Sequence, residues 1–334
     1  MPPPPESPTA WILLGKRRGD NNQAIALAEA LGARIVEKPL RFTAWRFLPR
    51  RLAALALWTV DGETRRTLTP PWPALVIGVG KRCVPVARAI RALSGGATRI
   101  VMLGDPRSPP RWFDLVLTTP QYRVAPAPNV HVLPFPLPIG VAHHAIEEQT
   151  GPPTRVLLIG GPSWPWRPAV ASVIAAARRC RALAEAEGGA VIALTGQRTP
   201  AAIRQALVDS LGAGAVDRIG YRAALAGGTQ FYVTADSASM LGDAITTGRP
   251  VAMLPVAAGP VGRLWMALSR ALFPDAPLWP RDLPRFWRAI RAAGLAGPAD
   301  APSAGAAPDV TMLAKVLVEP LLPAQARRSP ARPT

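Results

Sequence analysis

The sequence predicts an α/β protein of two domains, each built on a doubly wound, mostly parallel sheet. Short apolar runs alternate with segments of helical periodicity in two successive series, the pattern that puts helices on both faces of parallel strands. A polar, Pro- and Gly-containing stretch at 141–154 separates the series, and 334 residues suffice for two cores. The polar clusters, at 15–22, 104–107, 160–163, 195–199 and 234–243, all fall at strand ends, the edge where open α/β sheets bind ligands. The expected organisation is a disordered lead (1–9), an N-terminal domain (10–140), the linker (141–154), a C-terminal domain (155–322) and a disordered tail (323–334).

In the first series, Trp11 to Gly15 is a short strand running into the basic and polar loop Lys16 to Asn22. A helix from Gln23 to Leu31 carries Ile25, Leu27, Ala28 and Leu31 on one face and ends at Gly32. Residues 74–80 form the next strand, followed by a helix with Val84, Val86, Ala87, Ile90 and Leu93. Arg99 to Leu103, Phe113 to Thr118 and Val130 to Leu133 complete the set. The second series opens with the strand Arg155 to Ile159 and Gly160-Gly161-Pro162-Ser163, then a helix from Pro168 to Glu187. Ala190 to Leu194 leads into Thr195-Gly196-Gln197-Arg198-Thr199 before Pro200, a residue suited to a first helical turn. After a short helical stretch near Tyr221, residues 232–254 read as strand, hydroxyl-rich turn, helix and strand. Helices are expected from about Gly262 to Leu272, from Leu283 to Ala293 and from Asp309 to Val318.

Composition narrows the function classes. The chain carries 39 Lys and Arg against 21 Asp and Glu, a net charge of +18, with hydrophobic residues at 49%. It is globular, and its basicity suits anionic partners. Only four of the basic residues are lysines, an arginine bias of the kind GC-rich coding produces, so the charge is only partly functional. No nucleic-acid-binding motif accompanies it, and a nucleic-acid partner is not expected. Cys83 and Cys180 lie far apart without zinc spacing, the start lacks the pattern of a secretory leader, and no apolar run is long enough to span a membrane. These features place the protein in the cytoplasm, soluble or peripheral on the inner face of the membrane.

Residues 232–254 carry the sharpest chemistry. Ser237 and Ser239 fall at a helix N-terminus, where unpaired amides and the helix dipole suit a phosphate. Asp236 is either part of that site or a helix cap. Asp243, one turn further on, is placed to accept from a ribose hydroxyl.

Several motifs together resemble the plant mitochondrial-fission (elongated-mitochondria) family and its bacterial relatives, proteins with a GT-B glycosyltransferase-like fold. They are Gly19-Asp20-Asn21-Asn22-Gln23, Gly160-Gly161-Pro162-Ser163, Arg198-Thr199-Pro200, Val233 to Met240, and Thr247-Gly248-Arg249-Pro250-Val251. The chain departs from that pattern with Gly242-Asp243-Ala244 in place of Ser-Glu-Ala, and with Gln197 where an arginine is usual. The resemblance implies two Rossmann-type domains facing across a cleft, with the nucleotide half at the C-terminus. It implies a glycosyltransferase that moves a sugar from a nucleoside-diphosphate donor, whose leaving diphosphate needs amides, small residues and arginines around it.

Under that reading Gly160, Gly161, Ser163, Arg198, Thr199, Asp236, Ser237, Ser239 and Asp243 bind the nucleotide diphosphate. No acidic pair or His/carboxylate cluster points to a metal, and no cofactor is expected beyond the nucleotide sugar. Asp20 is the candidate general base toward the acceptor, with Asp105 second; capping of a helix starting near Asn22 is the competing role for Asp20. His131, His143 and His144 read as surface residues. Arginines interleaved with Phe and Trp at 40–58 and 279–291 suit an anionic membrane and a lipid-linked acceptor. The alternative is a catalytically inactive scaffold that recruits a partner protein.

Overall fold

The computed structural model describes residues 7–15, 18–44, 57–139, 152–272 and 281–323. Its contacts divide the chain into two compact units, residues 1–139 with 309–334, and residues 140–308.

The first unit holds a six-stranded parallel sheet, in the order β2-β1-β3-β4-β5-β6. In chain order its elements are β1 (Thr9–Leu14), α1 (Arg18–Ala30), β2 (Arg34–Pro39), α2 (Gly62–Thr67), β3 (Leu75–Val79), α3 (Val84–Leu93), β4 (Arg99–Leu103), β5 (Leu115–Thr118) and β6 (Val130–Val132). The central strands are continuous apolar runs because helices cover both faces; Ala10, Ile12, Val76, Ile77 and Val101 are fully buried. β2 was not expected from the sequence. It is an edge strand with alternating half-burial that carries Glu37, Lys38 and Pro39, so no apolar run marks it. Helix α1 begins at Arg18, four residues before the expected start near Asn22, and Gly32 closes it in a left-handed turn.

The second unit contains β7 (Thr154–Ile159), β8 (Trp166–Pro168), α4 (Val170–Glu187), β9 (Ala190–Thr195), α5 (Ala201–Leu211), α6 (Tyr221–Gly227), β10 (Gln230–Thr234), α7 (Ala238–Ile245), β11 (Val251–Leu254), β12 (Val256–Ala258), α8 (Pro260–Leu272) and α9 (Leu283–Ala292). Its main sheet is parallel, in the order β11-β10-β7-β9, and β8 and β12 pair as a small antiparallel ribbon. Leu157, Ile159, Val173, Ala177, Leu207 and Tyr232 form its core.

The last helix, α10 (Val310–Val318), corrects the expected boundary at 322. Its buried residues Val310, Ala314 and Val318 recur every fourth position, and the helix packs on α1 in the first unit. The lead and tail call 1–9 and 323–334 falls outside the described residues except at 7–9 and 323, and the linker 141–154 does so up to residue 151; within these spans Thr9 and Thr154 already begin strands.

Candidate nucleotide site in the second unit

Strand order reverses beside β7: β9 lies on one side of it, β10 and β11 on the other. Loops leaving β7 and β10 therefore run apart above the carboxyl ends of the strands, the position where open α/β sheets accept ligands. Three predicted clusters meet there.

The first is the glycine pair after β7. A Cβ on Gly160 would lie 2.6 Å from Asp236 Oδ2 and 2.9 Å from the Ser237 Cβ, and one on Gly161 would overlap the Arg198 carbonyl. Only glycine lets the three loops close to this distance. Hydrogen bonds then fasten them. The Gly160 amide donates to Thr234 Oγ1 at 2.7 Å, the Gly196 amide to the Ile159 carbonyl at 2.8 Å, and Arg198 Nη1 to the Pro162 carbonyl at 2.8 Å. Thr199 Oγ1 lies 2.9 and 2.6 Å from the carbonyl oxygens of Ile159 and Gly160, within donating distance of either. A hydroxyl has one hydrogen, which the two carbonyls share, so Thr199 ties the end of β9 to β7.

The third cluster leads into α7. Ser237 stands at the N-cap without a side-chain cap bond, and both Ser237 and Ser239 are half-exposed. The first amides of α7 have no intrahelical acceptor, and the dipole makes this end attractive to an anion. Asp236 is not the cap that one reading of the sequence allowed. Its side chain is fully buried, and neither carboxylate oxygen has a hydrogen-bond partner of good geometry. Burial pushes its pKa up to about 6, opposed at longer range or poorer angle by the Thr234 hydroxyl, its own amide, the Arg198 guanidinium and the Gly161 amide.

Asp243 lies deeper than its place in the sequence suggests. It is 5% exposed within α7, and its Oδ2 accepts from the Tyr221 hydroxyl at 2.8 Å. This hydrogen bond ties α6 to α7. Burial, and then the Asp243 charge, hold the Tyr221 phenol well above its ordinary pKa.

Two tryptophans that the sequence reading did not assign to the site brace it. Trp287 Nε1 donates to the Ala235 carbonyl at 2.7 Å, and its ring meets Trp166 edge-on at 5.0 Å. Trp287 belongs to α9, where Phe286 and Leu283 are fully buried. Much of the aromatic content of 279–291 thus packs inward, which corrects its reading as a membrane-facing segment; residues 279 and 280 lie outside the described residues. So do residues 45–56 of the other basic-aromatic segment, where Phe42 bridges Val60 and Arg41 pairs with Glu63.

The remaining candidates belong to the first unit. Asp20 lies half-buried in the first turn of α1, inside the helix, so it is not the cap. Asp105 accepts from the Arg107 amide at 2.7 Å and pairs with the Arg107 side chain, the geometry of a local turn. His131 is half-buried on β6, and His143 and His144 lie outside the described residues. Among the described residues no three His, Cys, Asp or Glu side chains gather as a metal site, and no helix is long and apolar enough to cross a membrane.

Fold and site together define a two-unit α/β protein with a Rossmann-type unit whose glycine loops and helix end converge at a strand-order reversal. The family model for mitochondrial fission ELM1 matches residues 18–270, and the chain belongs to that family. Comparison with curated proteins gives no sequence match. Among solved structures the chain is similar to the UDP-N-acetylglucosamine 2-epimerase of Rickettsia bellii, at 10% identity and TM-score 0.44, over 95% of this chain and 96% of that one. It is similar to the UDP-GlcNAc 2-epimerase of Neisseria meningitidis bound to UDP-GlcNAc, at 11% identity and TM-score 0.43, over 96% and 93%. It is also similar to the lipopolysaccharide outer core galactosyltransferase WaaB, at 14% identity and TM-score 0.38, over 96% and 97%.

Proposed function

We propose that the second unit binds the diphosphate of a nucleoside-diphosphate sugar and that the protein transfers the sugar to a lipid-linked acceptor at the cytoplasmic face of a membrane. The observation that carries this reading is the closure of three loops around Gly160 and Gly161 beside the open N-terminus of α7. In it the amides of α7, the hydroxyls of Ser163, Ser237 and Ser239 and the Arg198 guanidinium take the negative charge that grows on the leaving diphosphate. Gly161 lets the backbone approach it. Asp20, in the first turn of α1, is the residue assigned to take the acceptor's proton.

Asp236 favours a second reading. A buried carboxylate directly behind the phosphate position works against anion binding when ionised, as it would in a scaffold that has given up its donor. Melting shifts separate the two. A shift with UDP, GDP or CMP that is lost in Arg198→Gln and in Ser239→Ala supports the transferase, and hydrolysis of the matching sugar donor extends it. No shift with any of the three supports the scaffold.

A further inference from the structure

We propose that the exposed face of α8 is the surface by which this protein docks on an anionic lipid bilayer. Val261, Leu264, Trp265, Leu268 and Leu272 are 72, 71, 40, 50 and 61% exposed. Their spacing of three, one, three and four residues places all five within an arc of about 100° on the helix. The buried side of the same helix is Gly262 and Ser269, and a Cβ on Gly262 would lie 2.9 Å from that of Pro165. The helix is therefore seated on the turn before β8 through a glycine. The residue preceding that proline, Trp164, is itself 52% exposed.

Charge selects the occupant. No carboxylate occurs between Asp243 and Asp275, while Arg249, Arg263 and Arg270 do, and Arg167 lies against Gly259 just before the helix. Arg263 and Arg270 occupy the side of α8 opposite the apolar stripe, so no charge of either sign interrupts the stripe itself. An apolar face with tryptophan, on a helix whose only charged residues are arginines and in a chain of net charge +18, matches an anionic interface. A second copy of the chain suits it poorly. The helix offers a stripe about 20 Å long and about 10 Å wide, roughly 200 Å², against the roughly 800 Å² per partner of a stable interface, and two chains of net charge +18 repel.

This surface rests on the membrane side of the reading above and is independent of the donor site, so it is tested without nucleotide. The full chain is co-sedimented with phosphatidylcholine vesicles with and without phosphatidylglycerol. Wild-type protein is expected to bind the anionic vesicles, more weakly as salt rises, and Leu264→Ser/Leu268→Ser to lose at least about tenfold in partitioning. Because both side chains are exposed, the variant should keep its thermal midpoint. As a second measurement on folded protein, brominated acyl chains should quench wild-type emission more than that of Trp265→Phe. Equal binding of the double variant and wild type overturns the proposal, as does equal quenching or binding that ignores phosphatidylglycerol. A vesicle-free dimer broken by the double variant also overturns it, in favour of a second copy of the chain.

Discussion

The molecule contains the same strand-order reversal twice, and its two versions are finished differently. In the first unit β1 has β2 on one side and β3 on the other; in the second, β7 has β9 and β10. After β1 the chain saturates itself. Asn21 Oδ1 accepts from the Gly15 amide at 2.8 Å, and its Nδ2 donates back to the Gly15 carbonyl at 3.0 Å. The neighbouring turn after β3 is filled by the buried Cys83 side chain, beside which Gly78 has no room for a Cβ. After β7, by contrast, glycines hold a buried carboxylate without a well-formed hydrogen bond beside a helix end that has no side-chain cap. Topology alone therefore makes a place for a ligand, while the local side chains decide whether the loops use up their own polar groups.

The matched glycines test this most strongly. Gly15→Ala puts its methyl at ordinary contact distance, 4.0 Å from Asn21 Oδ1, and should change stability by less than about 0.5 kcal/mol. Gly160→Ala drives its methyl against Asp236 and Ser237 and should cost about 3 kcal/mol in urea unfolding. Equal costs would erase the difference between the two reversals.

Asp236 supplies an effect of similar or smaller size, visible through pH. Its folded pKa, about 6, is raised above the ordinary 3.8, so the folded protein binds this proton more tightly than the unfolded chain. The stability contributed by the protonated form is complete below about pH 4 and is lost as pH rises through about 6. Relative to wild type, Asp236→Asn should thus gain up to about 3 kcal/mol between about pH 4 and about pH 7. Asn21→Ala, in the first unit, should cost about 1 kcal/mol with no such slope. Nucleotide binding sharpens the contrast. A diphosphate beside Asp236 raises its pKa further, so binding takes up a proton and should weaken severalfold above about pH 6 in wild type but not in Asp236→Asn. Isothermal titration in buffers of different ionisation enthalpy reads that proton directly.

The smallest effect concerns the thiols. Burial pushes Cys83 and Cys180 up to about 11, and both should resist a thiol reagent near neutral pH until the protein unfolds.

Much of this was legible in the residues. Apolar runs placed the central strands to within two residues, since strands buried on both faces must be continuously hydrophobic. Gly160 and Gly161, Arg198, Ser237 and Ser239 were found as clusters at strand ends, and the fold brings them together. What escaped notice depended on partners distant in sequence. Asp243 looks like an open acceptor until Tyr221, twenty-two residues earlier, closes on it. Trp287 reads as a basic-aromatic membrane residue until Ala235 and Trp166 claim its ring. Asp236 carries no sign in the sequence of being unpaired, because that is a property of the space around it.

The packing of α10 on α1 turns the second unit into an insert, entered and left through the first. A truncation at residue 308 would leave the full β7–β12 region intact and uncover instead a helix nearly three hundred positions upstream. Val310, Ala314 and Val318 are the residues whose removal would be felt there. Excising the insert to study it alone therefore needs two cuts, and a C-terminal deletion reports on the wrong half of the protein.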